Sequence, residues 1–550
     1  MTSNSNYHSI DVRNDIATEN TPLLSQQSPV KHEWSIKAPI YTLAKCKSIS
    51  LLPAISVGLA IWFGASPSHD LTPTAIHLLA VFTSCIVALI TTSVDISMLV
   101  LTGLTLLATT RSFQCTDASS GLSTECRLCG KINPLTKEIN ECDAASDSFK
   151  QSLEGFSSAV VWLIFAAFHL GKAVQVTRLG RRLSLWMIAL FGGHILGLAY
   201  AIVLSELLLA PFVPSNTARG GGIILPVVQS IATTLGSTPS SNPALGGFLL
   251  LVGSHANLLS ASMYLTGMAP NPIVTAKANQ LFPDLNFGFM TWITGSIVPA
   301  LFCAACLPYL LYKFCGIDAK ENQDSCSNGN ITKHARAELE LIGAMSRNEW
   351  QLCVVLLSCL GLWVTSSYTG LDSTLVALMG IVALLHMGTI SWKDISTNTN
   401  AWDTLFWLGG FVTIAQQLSE AGASTFLGHK ISDGIEQLSL PPMPSLAIAY
   451  FLTTFMFSSL SAHTVAFVST FLDAGASLGA HPQILTAFLA YFGALGGCMT
   501  NFSTGSAAMY YAPGYVTRSK WFIVGIKMAV FYLIVYFTIG LGWWKLLGWK

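Results

Sequence analysis

Charged residues are scarce in this sequence. Lys and Arg number 28 and Asp and Glu 28 among 550 residues, so charged side chains make up 10% of the chain against 52% hydrophobic, and the mean hydropathy is +0.55. That composition excludes a soluble enzyme and belongs to a polytopic membrane protein. A basic stripe interleaved with aromatics is also missing, which excludes nucleic acid as a partner. There is no H-E-x-x-H and no paired intramembrane aspartate motif, so the common intramembrane hydrolase chemistries are not encoded. Gly475-Ala-Ser477-Leu-Gly479 fits G-x-S-x-G with His463 nearby, but it lacks a strand–turn–helix context, and its small residues read as helix packing. The first 47 residues lack the apolar run of a signal peptide, and Asp11, Asp15 and Glu19 set them apart from an acid-poor transit peptide. Residues 1–48 therefore read as a disordered cytosolic tail. Within it Glu19-Asn20-Thr21-Pro22-Leu23-Leu24 fits an acidic dileucine sorting pattern, in which Glu19, Leu23 and Leu24 would meet an adaptor protein on a segment that Pro22 keeps extended.

What the chain does contain is a succession of apolar runs, beginning at 50–64, 71–91 and 94–110 and closing at 521–546, each near the length that crosses a bilayer at a tilt. The pattern stops at 111–151, a polar loop that holds Cys115, Cys126, Cys129 and Cys142. Two readings compete there: a zinc site, or two disulfides in an oxidising compartment. With the tail in the cytosol the three preceding runs put this loop on the far side, which favours disulfides and leaves all three pairings open. The other cysteines sit singly in apolar runs and read as small buried hydrophobes. Lys172, Arg178, Arg181 and Arg182 follow the next run and, with the 314–348 connection, belong on the cytosolic side by the positive-inside rule. Asn330-Ile-Thr332 is a glycosylation sequon in that connection, so a glycan attached there would reverse the topology.

Several runs are interrupted by polar residues. Between Pro211 and Pro226 the chain reads Pro-Phe-Val-Pro-Ser-Asn-Thr-Ala-Arg-Gly-Gly-Gly-Ile-Ile-Leu-Pro, where two prolines remove helix N–H groups and three glycines relieve steric restriction. Ser215 to Gly222 should be irregular backbone, tolerated at membrane depth only inside protein or beside a watery cavity. Free amides opening the next half-helix, with Arg219 beside them, suit an anion. Arg219 either touches that anion or pairs with Glu206 or another buried acid, because a charge at this depth needs a partner. Further interruptions are expected at Gly253–Asn257, Ser458–Thr464 and Cys498–Ser506. Paired breaks at corresponding places in two halves point to a transporter with an inverted repeat and a midplane site.

The fold expected is an all-α polytopic membrane protein of about 11 transmembrane helices plus two re-entrant hairpins. A first repeat would cover 49–313 with its hairpin at 184–232, a cytosolic connection 314–348, and a second repeat 349–550 with its hairpin at 443–478. Ser215, Asn216 and Thr217 would offer donors to one carboxylate and Ser461, His463 and Thr464 to another, an arrangement suited to a short dicarboxylate.

The Ser-Asn-Thr stretch, with "GFSSAVVWLIFAAF" (Gly155 to Phe168), "GSHANLLSASMYLTGMAPNP" (Gly253 to Pro272), "AWDTLFWLGG" (Ala401 to Gly410) and "GLGWWK" (Gly540 to Lys545), resembles the divalent anion:sodium symporter family. The likeness is to its branch of citrate/succinate antiporters and plastid 2-oxoglutarate/malate translocators, and it covers about residues 50 to 550. It implies homodimers that carry malate, 2-oxoglutarate, succinate or citrate by an elevator-like shift, with exchange as the main mode and sodium- or proton-coupled symport as the alternative. Thr504 and Gly505 join the substrate-binding set on the same grounds. Ser254, His255, Asn257, Thr500 and Asn501 occupy positions that complete cation sites in sodium-dependent relatives, and here would hold a cation or brace the hairpins. His463 stands where those relatives have the asparagine of a second Ser-Asn-Thr, and imidazole is a poor ligand for a hard cation, which weakens the case for Na+. No other cofactor is implied. The tail places the protein in an endolysosomal, vacuolar or plasma membrane, in contact with lipid, ahead of the plastid envelope.

Overall fold

The apolar runs fold into helices in the order of the sequence. The computed structural model describes residues 51–68, 71–92, 94–132, 139–317 and 330–549. The tail with Glu19, Leu23 and Leu24 lies outside them. Three helices come first: α1 (Leu52–Gly64), α2 (Pro73–Thr91) and α3 (Ile96–Thr109). Pro73 opens α2 where its missing N–H would have no acceptor, and the Thr72 hydroxyl accepts from Ala75 N at 3.2 Å.

The cysteine loop is a small folded unit and the exception to the all-helical expectation. An antiparallel ribbon pairs β1 (Gln114–Thr116) with β2 (Ser123–Glu125), and α4 (Ala144–Ser152) follows. The pairings left open by the sequence are Cys115–Cys126 and Cys129–Cys142. The loop is fastened to two helix ends: Glu125 Oε2 accepts from Thr74 Oγ1 at 2.5 Å, and Gln417 Oε1 accepts from Gln114 N at 2.7 Å. Hydroxyls of Ser120 and Ser119 hold the Asp117 carboxyl well below the usual carboxylate range, and Glu141 N adds to the effect. A carboxylate depressed in the fold contributes stability above its ordinary titration range and loses it only as pH falls through the depressed value, so acidification to about pH 5 leaves this anchor in place. Closing loops of 11 and 13 residues stabilises the unit by about 3 kcal/mol per bridge on a chain-entropy estimate. A membrane-impermeant reductant applied to the loop side of sealed vesicles should therefore lower the melting temperature, as should the paired change Cys129→Ser with Cys142→Ser. The same reductant on the opposite side should do nothing, and an equal effect from both sides would refute the placement of this loop.

The site-bearing elements follow. After α5 (Ala159–Val176) and α6 (Leu179–Phe191), the first hairpin descends through α7 (Ile195–Leu209) and returns through a π-helical segment, Thr217–Ile224, that runs into α8 (Leu225–Thr234). Next come α9 (Pro243–Met263), α10 (Asn271–Leu281), α11 (Phe289–Cys315) and α12 (Asn330–Ile342). The second half comprises α13 (Arg347–Val364), α14 (Ser373–His386), α15 (Thr399–Glu420), α16 (Ala423–Gln437), the hairpin arms α17 (Pro442–Thr453) and α18 (Leu460–Ser477), then α19 (Pro482–Leu495), α20 (Gly505–Tyr511) and α21 (Arg518–Val535). Among the described residues five helices are long and apolar enough to cross a membrane, and six shorter apolar helices accompany them. Two of the six, α7 and α17, are the first arms of the two hairpins.

The break expected at Gly253–Asn257 is elsewhere. Helix α9 runs unbroken through those residues, and the chain unwinds over Tyr264–Pro270. Gly253 is small because Tyr510 packs against it: a Cβ there would lie 2.6 Å from the tyrosine ring. Unwinding inside a bilayer leaves the last carbonyls of a helix without partners, and side chains supply them here. Asn271 Nδ2 donates to the Ala261 and Tyr264 carbonyls at 2.8 Å each, Trp292 Nε1 to Ser262 O at 3.0 Å, and Ser296 Oγ to Met263 O at 2.6 Å. The two halves also interlock. The π-helical segment of the first hairpin packs on α20, beyond the break in the second half, and α18 of the second hairpin packs on α10, beyond the break in the first.

Candidate functional site

Two prolines make the turn at the tip of the first hairpin. Thr266 Oγ1 ties the turn down by donating to Pro211 O at 2.9 Å, and Ser215 then starts the return helix, its Oγ accepting from Ala218 N at 3.1 Å. Irregular backbone was expected over Ser215–Gly222, but from Thr217 onward the chain is π-helical. Two of its three glycines serve close packing: a Cβ on Gly220 would lie 2.7 Å from Asn257 Nδ2, and one on Gly221 would lie 2.3 Å from Met509 Sδ.

Arg219 is fully buried and all five of its N–H donors are used. Nε donates to Glu206 Oε2 at 2.7 Å. Nη1 donates to the carbonyls of Val213 at 2.6 Å and Gly267 at 2.8 Å, and Nη2 to Asn257 O at 3.3 Å and Ser260 Oγ at 2.9 Å. Of the two arrangements open to Arg219, the structure has the pairing with Glu206, and the guanidinium knots α7, the hairpin tip, α9 and the unwound Gly267 together. Asn257 completes the knot, its Nδ2 donating to Glu206 Oε1 and Oε2 at 3.2 Å each and to Asn216 O at 2.9 Å. Of the two roles open for Asn257, bracing is the one its amide donors serve.

In front of this knot Ser215, Asn216 and Thr217 are half-buried. Asn216 Nδ2 donates to Thr504 Oγ1 at 2.9 Å, bringing the second half's break onto the tip. Gly505 is exposed, and a Cβ on it would stand 2.9 Å from Thr217 Oγ1. Five of the predicted residues, Ser215, Asn216, Thr217, Thr504 and Gly505, thus come together in one place. The first-turn amides of the returning helix lie beside them, with the positive end of its dipole.

The second cluster is built differently. Its break falls at Thr454–Ser459, where the Ser459 hydroxyl caps α18 by accepting from Ala462 N at 3.3 Å, so Ser461, His463 and Thr464 sit in the first two turns of a helix instead of an open loop. Ser461 is half-buried, whereas His463 and Thr464 are fully buried. The His463 ring is wedged among Tyr450, Phe457 and Phe467, with Nε2 2.9 Å from Thr453 Oγ1. His463 and Thr464, expected to bind substrate, are both fully buried in this arrangement. A leucine layer lies nearby: a Cβ on Gly497 would meet Leu460 at 3.1 Å and Leu258 at 3.3 Å.

The remaining predicted residues divide. Ser254 and His255 are buried within α9, and His255 Nδ1 lies 3.4 Å from Tyr532 Oη on α21. Thr500 closes its own turn through Ser503, whose N donates to Thr500 Oγ1 at 3.0 Å. The Oδ1 atoms of Asn257 and Asn501 are buried with no hydrogen-bond partner among the described residues. Sequence reasoning missed Ser260 and Asn271. A helical-face argument would have found Ser260, which stands one turn beyond Asn257. Nothing local marks Asn271, whose partners exist only once α9 unwinds.

The family model for the sodium:sulfate symporter transmembrane region matches residues 45–550. This chain belongs to that family. It is 31% identical over 505 residues to the chloroplastic dicarboxylate transporter 1 of Arabidopsis thaliana, covering 90% of this chain and 83% of that protein. It is 33% identical over 407 residues to the chloroplastic dicarboxylate transporter 2.1 of the same plant, covering 73% and 71%. The citrate/succinate antiporter of Escherichia coli K12 is 29% identical over 517 residues, covering 92% of this chain and 99% of that protein. Membership makes the protein an integral multi-pass membrane transporter, not an enzyme. For a sodium:sulfate symporter family member the Glu206–Arg219 pair has a plain electrostatic consequence: the arginine charge behind the tip is cancelled. An anion there is met by hydroxyls, amides and a helix end.

Proposed function

We propose that this protein exchanges dicarboxylates such as malate, 2-oxoglutarate and succinate, with citrate as a further candidate, across its membrane. The observation that carries the reading is the tip of the first hairpin. Ser215, Asn216 and Thr217 present neutral donors on a helix end, backed by an arginine already neutralised by Glu206 and flanked by Thr504 and Gly505. Neutral donors hold a carboxylate without the cost of separating it from a fixed cation, which suits a carrier that must release its cargo. The names of the relatives, two dicarboxylate transporters and a citrate/succinate antiporter, support the same substrate class.

On this reading Ser461 contributes from the second hairpin after a shift that opens the tip, with His463 and Thr464 behind it. The two hairpins move with α9, α10, α19 and α20 as an elevator-like unit. An empty polar site is costly to carry across, and exchange results. The scaffold is about eleven spans in an inverted repeat, with repeats at 49–313 and 349–550. The tail, the 172–182 loop and the 314–348 connection are cytosolic, and the carrier is a homodimer in an endolysosomal, vacuolar or plasma membrane, sorted by Glu19, Leu23 and Leu24.

One observation favours sodium-coupled symport as a second reading. The unpartnered Oδ1 atoms of Asn257 and Asn501 are hard oxygen donors of the kind an alkali cation takes. Uptake of labelled malate, 2-oxoglutarate, succinate and citrate into proteoliposomes separates the two. Exchange predicts uptake that requires a trapped internal acid and is indifferent to sodium. Uptake into empty vesicles driven by a sodium gradient would replace exchange with symport, and absence of uptake of all four acids under both conditions would overturn the substrate class.

A further inference from the structure

A cavity of about 470 Å3 lies at the basic end of the molecule, between the end of α5, the start of α6, the second arm of the first hairpin and helix α12 of the connection. Its size is that of a small-molecule site. Four elements meet around it and their contributions differ in kind. The α6 side and the end of α5 bring Arg178, Arg181 and Gln175. The hairpin brings an apolar wall that includes Ile223 and Val227, and α12 brings His334 and Glu338.

The charges within it are not balanced. Arg181 is ion-paired to Glu338, which straps α12 onto α6. Arg178 has no ion-pair partner and no side-chain hydrogen bond among the described residues, and it is exposed at the cavity wall. His334 is half-buried, and its Nε2 is buried with no hydrogen-bond partner among the described residues. Deeper in, Leu185, Ile188, Ile223 and Val227 line the space with hydrocarbon. A basic mouth over an apolar interior is the complement of an amphiphile with an anionic head. The crevice beside the end of the second hairpin is of opposite character, lined by Glu420, Asp433 and Glu436 with Lys430 and His429, so a basic lining is not something the fold imposes beside a hairpin arm.

The walls are also mechanically unequal. The start of α6 and the end of the connection are clamped together, because buried Arg182 forks onto Glu349 at 2.6 and 3.2 Å and donates to Gly343 O at 2.7 Å. The opposite wall is the hairpin arm that carries Thr217 at its start. The geometry points to a regulatory site: an amphiphile with a phosphate or carboxylate head binds here, its head on Arg178 and His334 and its body against Ile223 and Val227. By bridging the clamped α6–α12 wall and the hairpin, it slows exchange. The binding half stands on the cavity alone, and the slowing rests on the exchange reading above.

The test uses the full-length protein in phosphatidylcholine nanodiscs with malate saturating, so that the substrate site is filled. Calorimetric titrations use dioctanoyl phosphatidic acid, dioctanoyl phosphatidylcholine, octanoate and inorganic phosphate as probes. Saturable binding of the phosphatidic acid but not the phosphatidylcholine is expected, weakened about tenfold by Arg178→Gln. Gly222→Leu should weaken it as well, since a Cβ at Gly222 meets only Gln175 Nε2, at 3.6 Å, and the longer side chain then fills the cavity. Octanoate binding with the same dependence on Arg178 assigns the site to soluble amphiphiles as well as lipid, and phosphate binding with that dependence assigns it to the head alone. Binding indifferent to both substitutions, or competed by malate, overturns the site. In proteoliposomes the phosphatidic acid should slow malate exchange by wild type and not by Arg178→Gln, and binding without slowing overturns the regulatory half. If ligand-free protein fails to exchange at all, the functional reading fails while the calorimetric result stands.

Discussion

Arg219→Ala and Glu206→Gln each leave one buried charge without its counter-ion, and each should destabilise the protein by about 3–5 kcal/mol. Both side chains are fully buried, so water cannot take over the lost partner. The loss with Arg219→Ala reaches further than one ion pair, because the carbonyls of Val213, Gly267 and Asn257 lose their donor together. Arg219→Lys should rescue little, since an ammonium has three donors and no planar fork to reach partners on four segments. The double change Glu206→Gln with Arg219→Gln removes both charges and should recover part of the stability of either single variant, which a double-mutant cycle would read as coupling. The measurement is the melting temperature of the detergent-solubilised protein by fluorescence-detected size exclusion, alongside malate uptake per folded molecule. A well-folded Arg219→Ala protein with wild-type melting and only a raised KM would return this arginine to the substrate site.

Thr217→Val should give the opposite signature: an intact fold and a failed site. The Thr217 hydroxyl has no hydrogen-bond partner among the described residues and stands half-buried at the hairpin tip, so an isosteric methyl removes a donor and little else. A hydrogen bond to a charged ligand contributes about 1.5–3 kcal/mol, and the KM for malate should rise about ten- to a hundredfold with melting unchanged. Gly505→Ala reaches the same hydroxyl from the other side, since its Cβ would press on Thr217 Oγ1 at 2.9 Å. It should lower uptake comparably while leaving the Glu206–Arg219 knot untouched. Uptake by both variants that is indistinguishable from wild type would remove the first hairpin tip from the substrate path.

Much of the first hairpin is legible in the sequence because its signals are local. Prolines and glycines interrupt an apolar run, and Ser215-Asn216-Thr217 lies at the interruption. The acid that Arg219 needs is in reach as well, since Glu206 is the only acidic residue in the run before it. The choice between pairing and ligand contact was not legible, because it depends on whether other segments use up the remaining donors. Val213, Gly267, Asn257 and Ser260 do so. The second hairpin shows the reverse error. Ser458 to Thr464 is as polar as the first break, yet the helix begins at Leu460 and carries His463 into an aromatic pocket. Polarity marks that a run is interrupted without saying on which side of the polar residues the helix starts. The same ambiguity misplaced the break in α9, where Ser254, His255 and Asn257 are helical and the unwinding comes at Tyr264.

The sequence by itself determined that the chain is a multi-pass membrane transporter, that its apolar runs are interrupted near Ser215-Asn216-Thr217, and that four cysteines share one polar loop. Those properties follow from composition and from near-neighbour chemistry, which need no knowledge of the fold. Only the tertiary structure decided the disulfide pairing, the pairing of Arg219 with Glu206, the burial of His463 and the meeting of Asn216 with Thr504, 288 residues apart. Each of these depends on which distant segment arrives beside a polar group once the helices pack. In a bilayer, where water cannot satisfy what the protein leaves over, that arrival settles whether a side chain is a ligand or a brace.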